Sequence, residues 1–394
     1  METKDKKTIK IFSSYMLIAL LGGGFISSSF VIFLSTVKKY SYNEITLIVG
    51  ITPIVLLPTS FLWGWIMDKH KKLILTNKLI TVANTIKIFL LVLLNSFGIF
   101  FIINLIGSFL TQPSGGINDE YIMHIVKKTG YPYGKIRVFG AIGFGLSGIL
   151  APISIYFFGV KGAFVVGGII ILVTLVFLSK LPEVYVSEKE KKEKIDFFTV
   201  LNLFKNKKFI LELIALTILV STSNITGSFA MPIILLHLHA PNEFVVMLPF
   251  IMVLMEIVFL FNFHKFKIAD KSYLIIVICL ILAVVRWTIM ANETNYYILI
   301  ALMLFHGCII GMVLPTQNKL ISILVPKKQQ STAFLFQLVI IPTVLSSILN
   351  LFTGYMVSKM GISIFGYTYL GLTIFAGILI IPNIIKGKLI NKKF

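Results

Sequence analysis

The sequence has little charge, and acidic residues are scarcer still. Only 13% of the 394 residues are charged, with 16 Asp and Glu against 36 Lys and Arg. A chain that is 57% hydrophobic and carries so few charges lacks the polar surface of a soluble globular protein. Apolar runs near twenty residues long recur along its whole length, which is what a helix needs to cross a hydrocarbon core of roughly 30 Å. The composition therefore predicts a polytopic membrane protein.

Cysteines and catalytic motifs are also scarce. The only two cysteines, Cys279 and Cys308, both lie in apolar runs, which argues against a disulfide framework. The chain has no phosphate-binding loop, nucleophile elbow or metal-spaced His/Glu motif, and His237 and His239 have no third ligand nearby. We therefore expect no metal, no ATP-driven transport by this chain alone and no enzyme. A membrane enzyme or lipid scramblase is kept as a remote alternative.

Lysine and arginine are distributed unevenly between the apolar runs. The gaps after odd-numbered spans carry Lys38, Lys39, Lys161 and Lys359, whereas the other gaps and both termini carry nearly all the rest. By the positive-inside rule, this asymmetry places both termini in the cytoplasm. The net charge of +20 then predicts a basic cytoplasmic face and no nucleic-acid partner. The expected location is a bacterial plasma membrane, with the lipid bilayer around a monomer.

The apolar runs predict an all-α fold of twelve transmembrane helices in two six-helix, pseudo-symmetric bundles. The N-terminal bundle covers residues 1–182, and the C-terminal bundle covers residues 208–394. Residues 183–207 between them form a polar stretch of mixed charge, which we interpret as a cytoplasmic linker. Two six-helix halves joined in this way are typical of a transporter built from parallel repeats.

Ionisable residues inside the apolar runs are the first candidates for function, because a charge at membrane depth is costly unless it faces protein or water. Lys87 lies fourteen residues after the predicted start of the third helix at Leu73. Arg286 lies fourteen residues after the predicted start of the ninth helix at Ser272, as an internal repeat would require. Lys87 is therefore a candidate cavity charge.

Two neighbouring helices of the first half carry polar and aromatic residues at helical spacing. Gln112 and Asp119 are seven residues apart and share a face of the fourth helix. Arg137 and Phe144 have the same spacing on the fifth helix. A cluster of small polar residues lies midway along the seventh helix and includes Asn224. Gln112 and Asn224 are candidate solute ligands.

Three features resemble the major facilitator superfamily, and within it the lactose permease, oligosaccharide:proton symporter and phenylpropionate-transporter group. The run GWIMDKHKK resembles the superfamily signature between helices 2 and 3, with Gly64, Asp68 and Lys69 in place. The run YGKIRVFGAIGF is similar to the helix 5 signature of the lactose permease group. That group also keeps a Glu, an Arg and a His on helices 8, 9 and 10, where this chain has the residues Glu256, Arg286 and His306.

The resemblance implies an alternating-access transporter with two functional regions. Asp119 and Arg137 have the spacing of the sugar-binding carboxylate and arginine of the group, so the resemblance implies that they bind the solute. Phe144 replaces a tryptophan that stacks on the sugar ring. The implied proton-coupling residues are Glu256, Arg286 and His306. The implied conformational latch consists of Gly64, Asp68 and Lys69.

The sequence departs from the group where protons are bound. Ile309 replaces a proton-binding Glu one turn after the helix 10 His, and Met303 stands where the group has a Lys. We predict proton-coupled symport of a small polar organic solute, such as a saccharide or nucleoside, without a cofactor. Proton-driven efflux of drugs or sugars is an alternative. Organic-anion transport is another, because the buried cations outnumber the buried carboxylates by one; substrate and direction stay open.

Overall fold

A computed structural model describes residues 3–59, 63, 72–184, 206–262, 271–326 and 329–390. Every regular element in these ranges is a helix. Ten of the helices are long and apolar enough to cross a membrane. One of the ten, Tyr133–Ser179, contains two passes, because Gly159 interrupts it with φ 67° and ψ 176°. With the shorter apolar helix Tyr42–Leu56, the described chain has twelve passes. The predicted all-α, polytopic fold is confirmed.

We number the helices α1 to α12 in chain order. The first six are α1 (Thr3–Ile32, continued by the π-helical turn Phe33–Val37), α2 (Tyr42–Leu56), α3 (Leu73–Leu93), α4 (Phe97–Thr111 and Ser114–Thr129), α5 (133–158) and α6 (160–179). The second six are α7 (Lys207–Ile225, the π-helical Thr226–Ala230 and Met231–His237), α8 (Asn242–Val246 and Leu248–Asn262), α9 (Ser272–Asn292), α10 (Tyr296–Ala301 and Met303–Leu324), α11 (Gln330–Leu335, the π-helical Phe336–Ile340 and Ile341–Met360) and α12 (Ile364–Ile390).

The helices form two compact units. The first unit comprises Met1–Lys191 together with Pro241–Phe250, and the second comprises Lys192–Ala240 together with Ile251–Phe394. The predicted linker at residues 183–207 stays a prediction, because its residues 185–205 lie outside the described residues.

Each unit buries its own apolar side chains. In the first unit, Phe12 of α1 stacks on Tyr121 of α4 with ring centroids 4.6 Å apart, inside a larger apolar cluster. In the second unit, Phe209 of α7 packs with Ile321 near the end of α10. These contacts hold the helices of each unit together, since the lipid itself provides no hydrophobic drive for helix association.

Large apolar side chains also remain exposed along the helices. Leu79 on α3 is 63% exposed and Ile323 on α10 is 65% exposed. A soluble protein rarely leaves so many large hydrophobic side chains uncovered. On helices of this length and hydropathy, these side chains are suited to contact with lipid.

A tight connection joins α4 to α5. It brings together the two helices that carry Asp119 and Arg137. Gly130 ends α4 in the left-handed region at φ 68°, and its N–H donates to the carbonyl of Val126 at 2.8 Å. A residue with a Cβ would be strained in this conformation. Pro132 then precedes the first residue of α5, where it cannot continue the previous helix. The two helices are therefore neighbours that run in opposite directions.

Candidate functional site

Asp119, Tyr133 and Arg137 form a polar cluster between α4 and α5. Arg137 Nη1 lies 3.5 Å from Asp119 Oδ1, and the Tyr133 hydroxyl donates to the same oxygen at 2.9 Å. The Arg137 and Asp119 side chains are 48% and 45% exposed. The structure thus brings together two residues that the sequence singled out and adds a phenol. Tyr133 lies one helical turn before Arg137, and that spacing could have identified it.

A buried hydrogen-bond network holds α4 immediately beside this cluster. The Asn77 side-chain amide on α3 donates to Asn118 Oδ1 at 2.8 Å and to the Tyr15 hydroxyl at 2.9 Å. The Tyr15 hydroxyl on α1 lies 3.1 Å from the same Asn118 oxygen, to which it donates. All three side chains are at most 4% exposed. The network ties three helices together at the residue that precedes Asp119.

Phe144 and Gln112 extend the candidate region away from the cluster. Phe144 is half-buried on α5, about 10 Å along the helix axis from Arg137. A Cβ at Gly24 of α1 would lie 3.4 Å from Phe144 Cδ2 and would overlap Ser147, so Gly24 allows α5 to approach. Gln112 is half-buried at the break between the two segments of α4. These residues lie in the first unit with the cluster, and their proposed contacts with solute stay predictions.

Lys87 lies on α3 with its aliphatic stem against α4. A Cβ at Gly107 would overlap the Lys87 Cβ, Cγ and Cδ atoms, so the absence of a side chain there provides the space for the stem. Lys87 is half-buried. Among the described residues, its ammonium group makes no hydrogen bond or ion pair. Lys87 is therefore an uncompensated cation, as its position in an apolar run suggested.

His306 on α10 bonds to the backbone of α7. Its Nδ1 lies 3.1 Å from the carbonyl oxygen of Ser223. A carbonyl only accepts, so Nδ1 carries the hydrogen and Nε2 is the ring's free acceptor in the neutral form. The next residue, Asn224, is exposed in a helix that is otherwise mostly buried. It precedes the π-helical turn Thr226–Ala230, a feature frequent at functional sites.

Arg286 is fully buried on α9. Its Nη2 lies 3.3 Å from Met303 Sδ, and its guanidinium lies 4.4 Å from the centroid of the Trp287 ring. The remaining nitrogens, Nε and Nη1, have no hydrogen-bond partner among the described residues. The structure starts α3 at Leu73 and α9 at Ser272, as predicted, so Arg286 and Lys87 occupy equivalent positions in their helices.

Glu256 does not bond to the other two members of its predicted group. Its backbone packs against α10, where side chains at Gly307 and Gly311 would collide with it. Its half-buried carboxylate makes no ion pair or hydrogen bond with Arg286 or His306 in the described chain. The predicted residues therefore lie on three packed helices without forming a bonded network.

One buried carboxylate was missed by the sequence analysis. Glu212 near the start of α7 is 1% exposed, and its Oε1 accepts from the Tyr273 hydroxyl at 2.5 Å and from the Asn383 amide at 3.4 Å. Glu212 is the sixth residue of its helix, and no motif or helical spacing in the sequence singles it out. The network joins α7, α9 and α12.

The predicted latch cannot be placed on the fold. Gly64, Asp68 and Lys69 lie outside the described residues. Their role as a conformational latch therefore stays a prediction from the sequence.

Comparison with known proteins places the chain in one family. A family profile described as "MFS_1 like family" matches residues 24–369. The "Uncharacterized transporter YwbF" of Bacillus subtilis (strain 168) is 24% identical over 326 residues, which cover 81% of this chain and 79% of that protein.

Two solved structures show the same fold. The nucleoside transporter NupG superposes with a TM-score of 0.78 at 16% identity, over 94% of this chain and 97% of that chain. A D-xylose-proton symporter gives a TM-score of 0.67 at 16% identity, over 93% and 97% of the two chains. The resemblance to the major facilitator superfamily is thus confirmed. The chain belongs to the MFS_1-like family and is a multi-pass membrane transporter, not an enzyme.

Proposed function

We propose that the protein is a secondary transporter that couples protons to the symport of a small polar organic solute, such as a saccharide or a nucleoside. The observation that carries this proposal is the cluster of Asp119, Tyr133 and Arg137. A carboxylate beside a guanidinium and a phenol offers an acceptor and several donors in one place. Charge-assisted hydrogen bonds of this kind suit a solute rich in hydroxyl groups.

The other proposed solute ligands would add weaker interactions. Phe144 offers an aromatic face on the same helix as Arg137, and a ring of this kind can stack on the apolar face of a sugar or base. Gln112 and Asn224 add amide groups that both donate and accept. The names of two fold relatives, a nucleoside transporter and a D-xylose-proton symporter, agree with this class of solute.

Proton coupling is assigned to Glu256 with His306 and Arg286. Glu256 is half-buried and makes no ion pair in the described chain, so its carboxylate is free to take up and release a proton. His306 has a free Nε2 acceptor when neutral and can act as a relay. An ionisable residue within a span is a functional candidate because it is costly to retain for packing alone. No cofactor is needed, and the proton is the coupling ion.

Organic-anion transport is a second candidate, and Lys87 favours it. The Lys87 residue is half-buried and its ammonium group makes no ion pair among the described residues, so it could bind a carboxylate of the solute. Competition between matched neutral and anionic analogues separates the candidates. Preference for the anion that is lost in Lys87→Gln supports the second candidate, and equal competition rejects it.

A thermal-shift screen of the purified protein tests the proposed solute class. Sugars, nucleosides, aromatic acids and drugs are compared, because a ligand that binds only the folded state raises the melting temperature. We expect stabilisation by a sugar or nucleoside in the natural protein and its loss in Asp119→Asn. Stabilisation by drugs alone, or an equal shift in Asp119→Asn, contradicts the assignment.

A further inference from the structure

The guanidinium of Arg286 lacks the partner that a buried charge requires. Its hydrogen-bond contact is the sulfur of Met303, a weak acceptor, and two of its nitrogens have no partner in the described chain. The face of Trp287 attracts the cation but carries no net negative charge. A positive charge removed from water is strongly destabilising unless an opposite charge or good acceptors compensate it.

The acidic side chains described in the second unit do not provide this compensation. Glu212 is held by Tyr273 and Asn383 at the start of α7. Glu293 follows the end of α9. Glu256 makes no ion pair within the described ranges. The charge of Arg286 is therefore uncompensated by any carboxylate in this part of the chain.

A second buried donor lies beside the same tryptophan. The Tyr369 ring on α12 packs edge-on against Trp287 with centroids 5.3 Å apart. Its hydroxyl is buried with the Thr353 side chain as its polar neighbour, and no well-formed hydrogen bond reaches it among the described residues. Trp287 thus contacts both Arg286 and Tyr369. Arg286 Nε–H and Nη1–H have no partner in the described chain and the Tyr369 O–H has no well-formed one; all three can donate, and two of them belong to a cation.

We propose that the second unit binds a small monovalent anion, chloride in the cell, beside Trp287 between the Arg286 guanidinium and the Tyr369 hydroxyl. An anion there provides both an acceptor for the buried donors and the missing negative charge. Arg286, Trp287, Met303 and Tyr369 are each 0% exposed. Because these side chains are closed off from the surface, the proposed ligand is a small ion and not an organic solute.

The proposed anion site shares no residue with the proposed solute site. Arg286 and Tyr369 belong to the second unit, whereas Asp119 and Arg137 belong to the first. Anion binding can therefore be measured without any transported solute. If the anion proposal fails, the assignment of the solute site is unaffected. If the solute assignment fails, the anion proposal is unaffected.

Fluorescence of Trp287 reports directly on the site. The chain has three tryptophans, so the double substitution Trp63→Phe and Trp65→Phe leaves Trp287 as the sole emitter. The protein is purified in gluconate without chloride and titrated with iodide, which quenches indole fluorescence. We expect saturable quenching that chloride reverses by competition and that Arg286→Gln abolishes. Quenching that is linear in iodide and unaffected by chloride overturns the proposal.

A matched pair of substitutions at Met303 provides a second test. Met303→Glu places a covalent carboxylate near Arg286 Nη2, whereas Met303→Gln has a similar shape without the charge. We expect chloride to raise the melting temperature of the natural protein and of Met303→Gln, but not of Met303→Glu. Equal melting of the natural protein in chloride and gluconate, or a chloride effect that persists in Met303→Glu, overturns the proposal.

Discussion

The Tyr133 hydroxyl donates to the Asp119 oxygen that also faces Arg137. The two contacts measure 2.9 and 3.5 Å, so the phenol is closer to the carboxylate than the guanidinium is. Both charged side chains are nearly half exposed. The phenol therefore orients Asp119 while leaving part of the carboxylate and most of the guanidinium free for a solute.

Tyr133→Phe should weaken solute binding without unfolding the protein. The substitution removes one hydrogen bond to the Asp119 carboxylate and leaves the ring in place. We expect about a three- to tenfold loss of affinity, the effect of one such bond. Equilibrium binding of the solute found in the screen measures it. Tyr156→Phe, at a phenol that is 77% exposed, is the control, and an equal loss in that variant contradicts the role of Tyr133.

Asp119→Asn and Arg137→Lys should each weaken solute binding while leaving the stability of the fold nearly unchanged. The ion pair is exposed to solvent, so its contribution to folding is at most about 1 kcal/mol. An ammonium cannot reproduce the forked geometry of a guanidinium, and an amide lacks the charge. We expect affinity to fall about tenfold or more while the melting temperature changes by less than about 2 °C. A large fall in melting temperature at unchanged affinity would assign the pair to structure instead.

Asn77→Leu should destabilise the first unit. It leaves buried polar atoms of Tyr15 and Asn118 with fewer partners at a junction of three helices. The expected loss is about 1–3 kcal/mol of folding free energy, the cost of an unsatisfied buried group. Thermal unfolding in detergent measures this loss. Asn95→Leu, at an exposed position outside the helices, is the control and should melt near the natural protein.

Glu256→Gln should abolish proton-driven accumulation while preserving solute exchange. The amide cannot bind and release a proton, but it retains the shape of the side chain. Counterflow of labelled solute measures exchange, and uptake under a pH gradient measures coupling. Glu243→Gln on the same helix is the matched control and should keep both activities. Gradient-driven accumulation that survives in Glu256→Gln would place the proton site elsewhere.

The sequence predicted the helices and part of the candidate site. Apolar length determined the spans, so the predicted starts at Leu73 and Ser272 agree with the structure. Helical spacing and the resemblance also anticipated the proximity of Asp119 and Arg137. The break at Gly159, with φ 67° and ψ 176°, separates α5 from α6.

The contacts that sequence reasoning missed depend on side-chain direction and on backbone groups. Ser223 contacts His306 through its carbonyl oxygen, which every residue type possesses. Glu256 and Arg286 lie on consecutive helices, yet their charged groups do not pair in the described chain. Glu212 is buried because α9 and α12 cover it. Contacts between helices distant in the chain cannot be predicted from the sequence around Glu212.

Uptake into proteoliposomes under an imposed pH gradient tests the central claim most directly. The purified protein is reconstituted, the outside is made acidic, and uptake of the stabilising sugar or nucleoside is measured with and without a protonophore. We predict accumulation above the equilibrium level that the protonophore abolishes and that Asp119→Asn lacks. Uptake that reaches only equilibrium and is the same with and without the gradient would contradict proton-coupled symport.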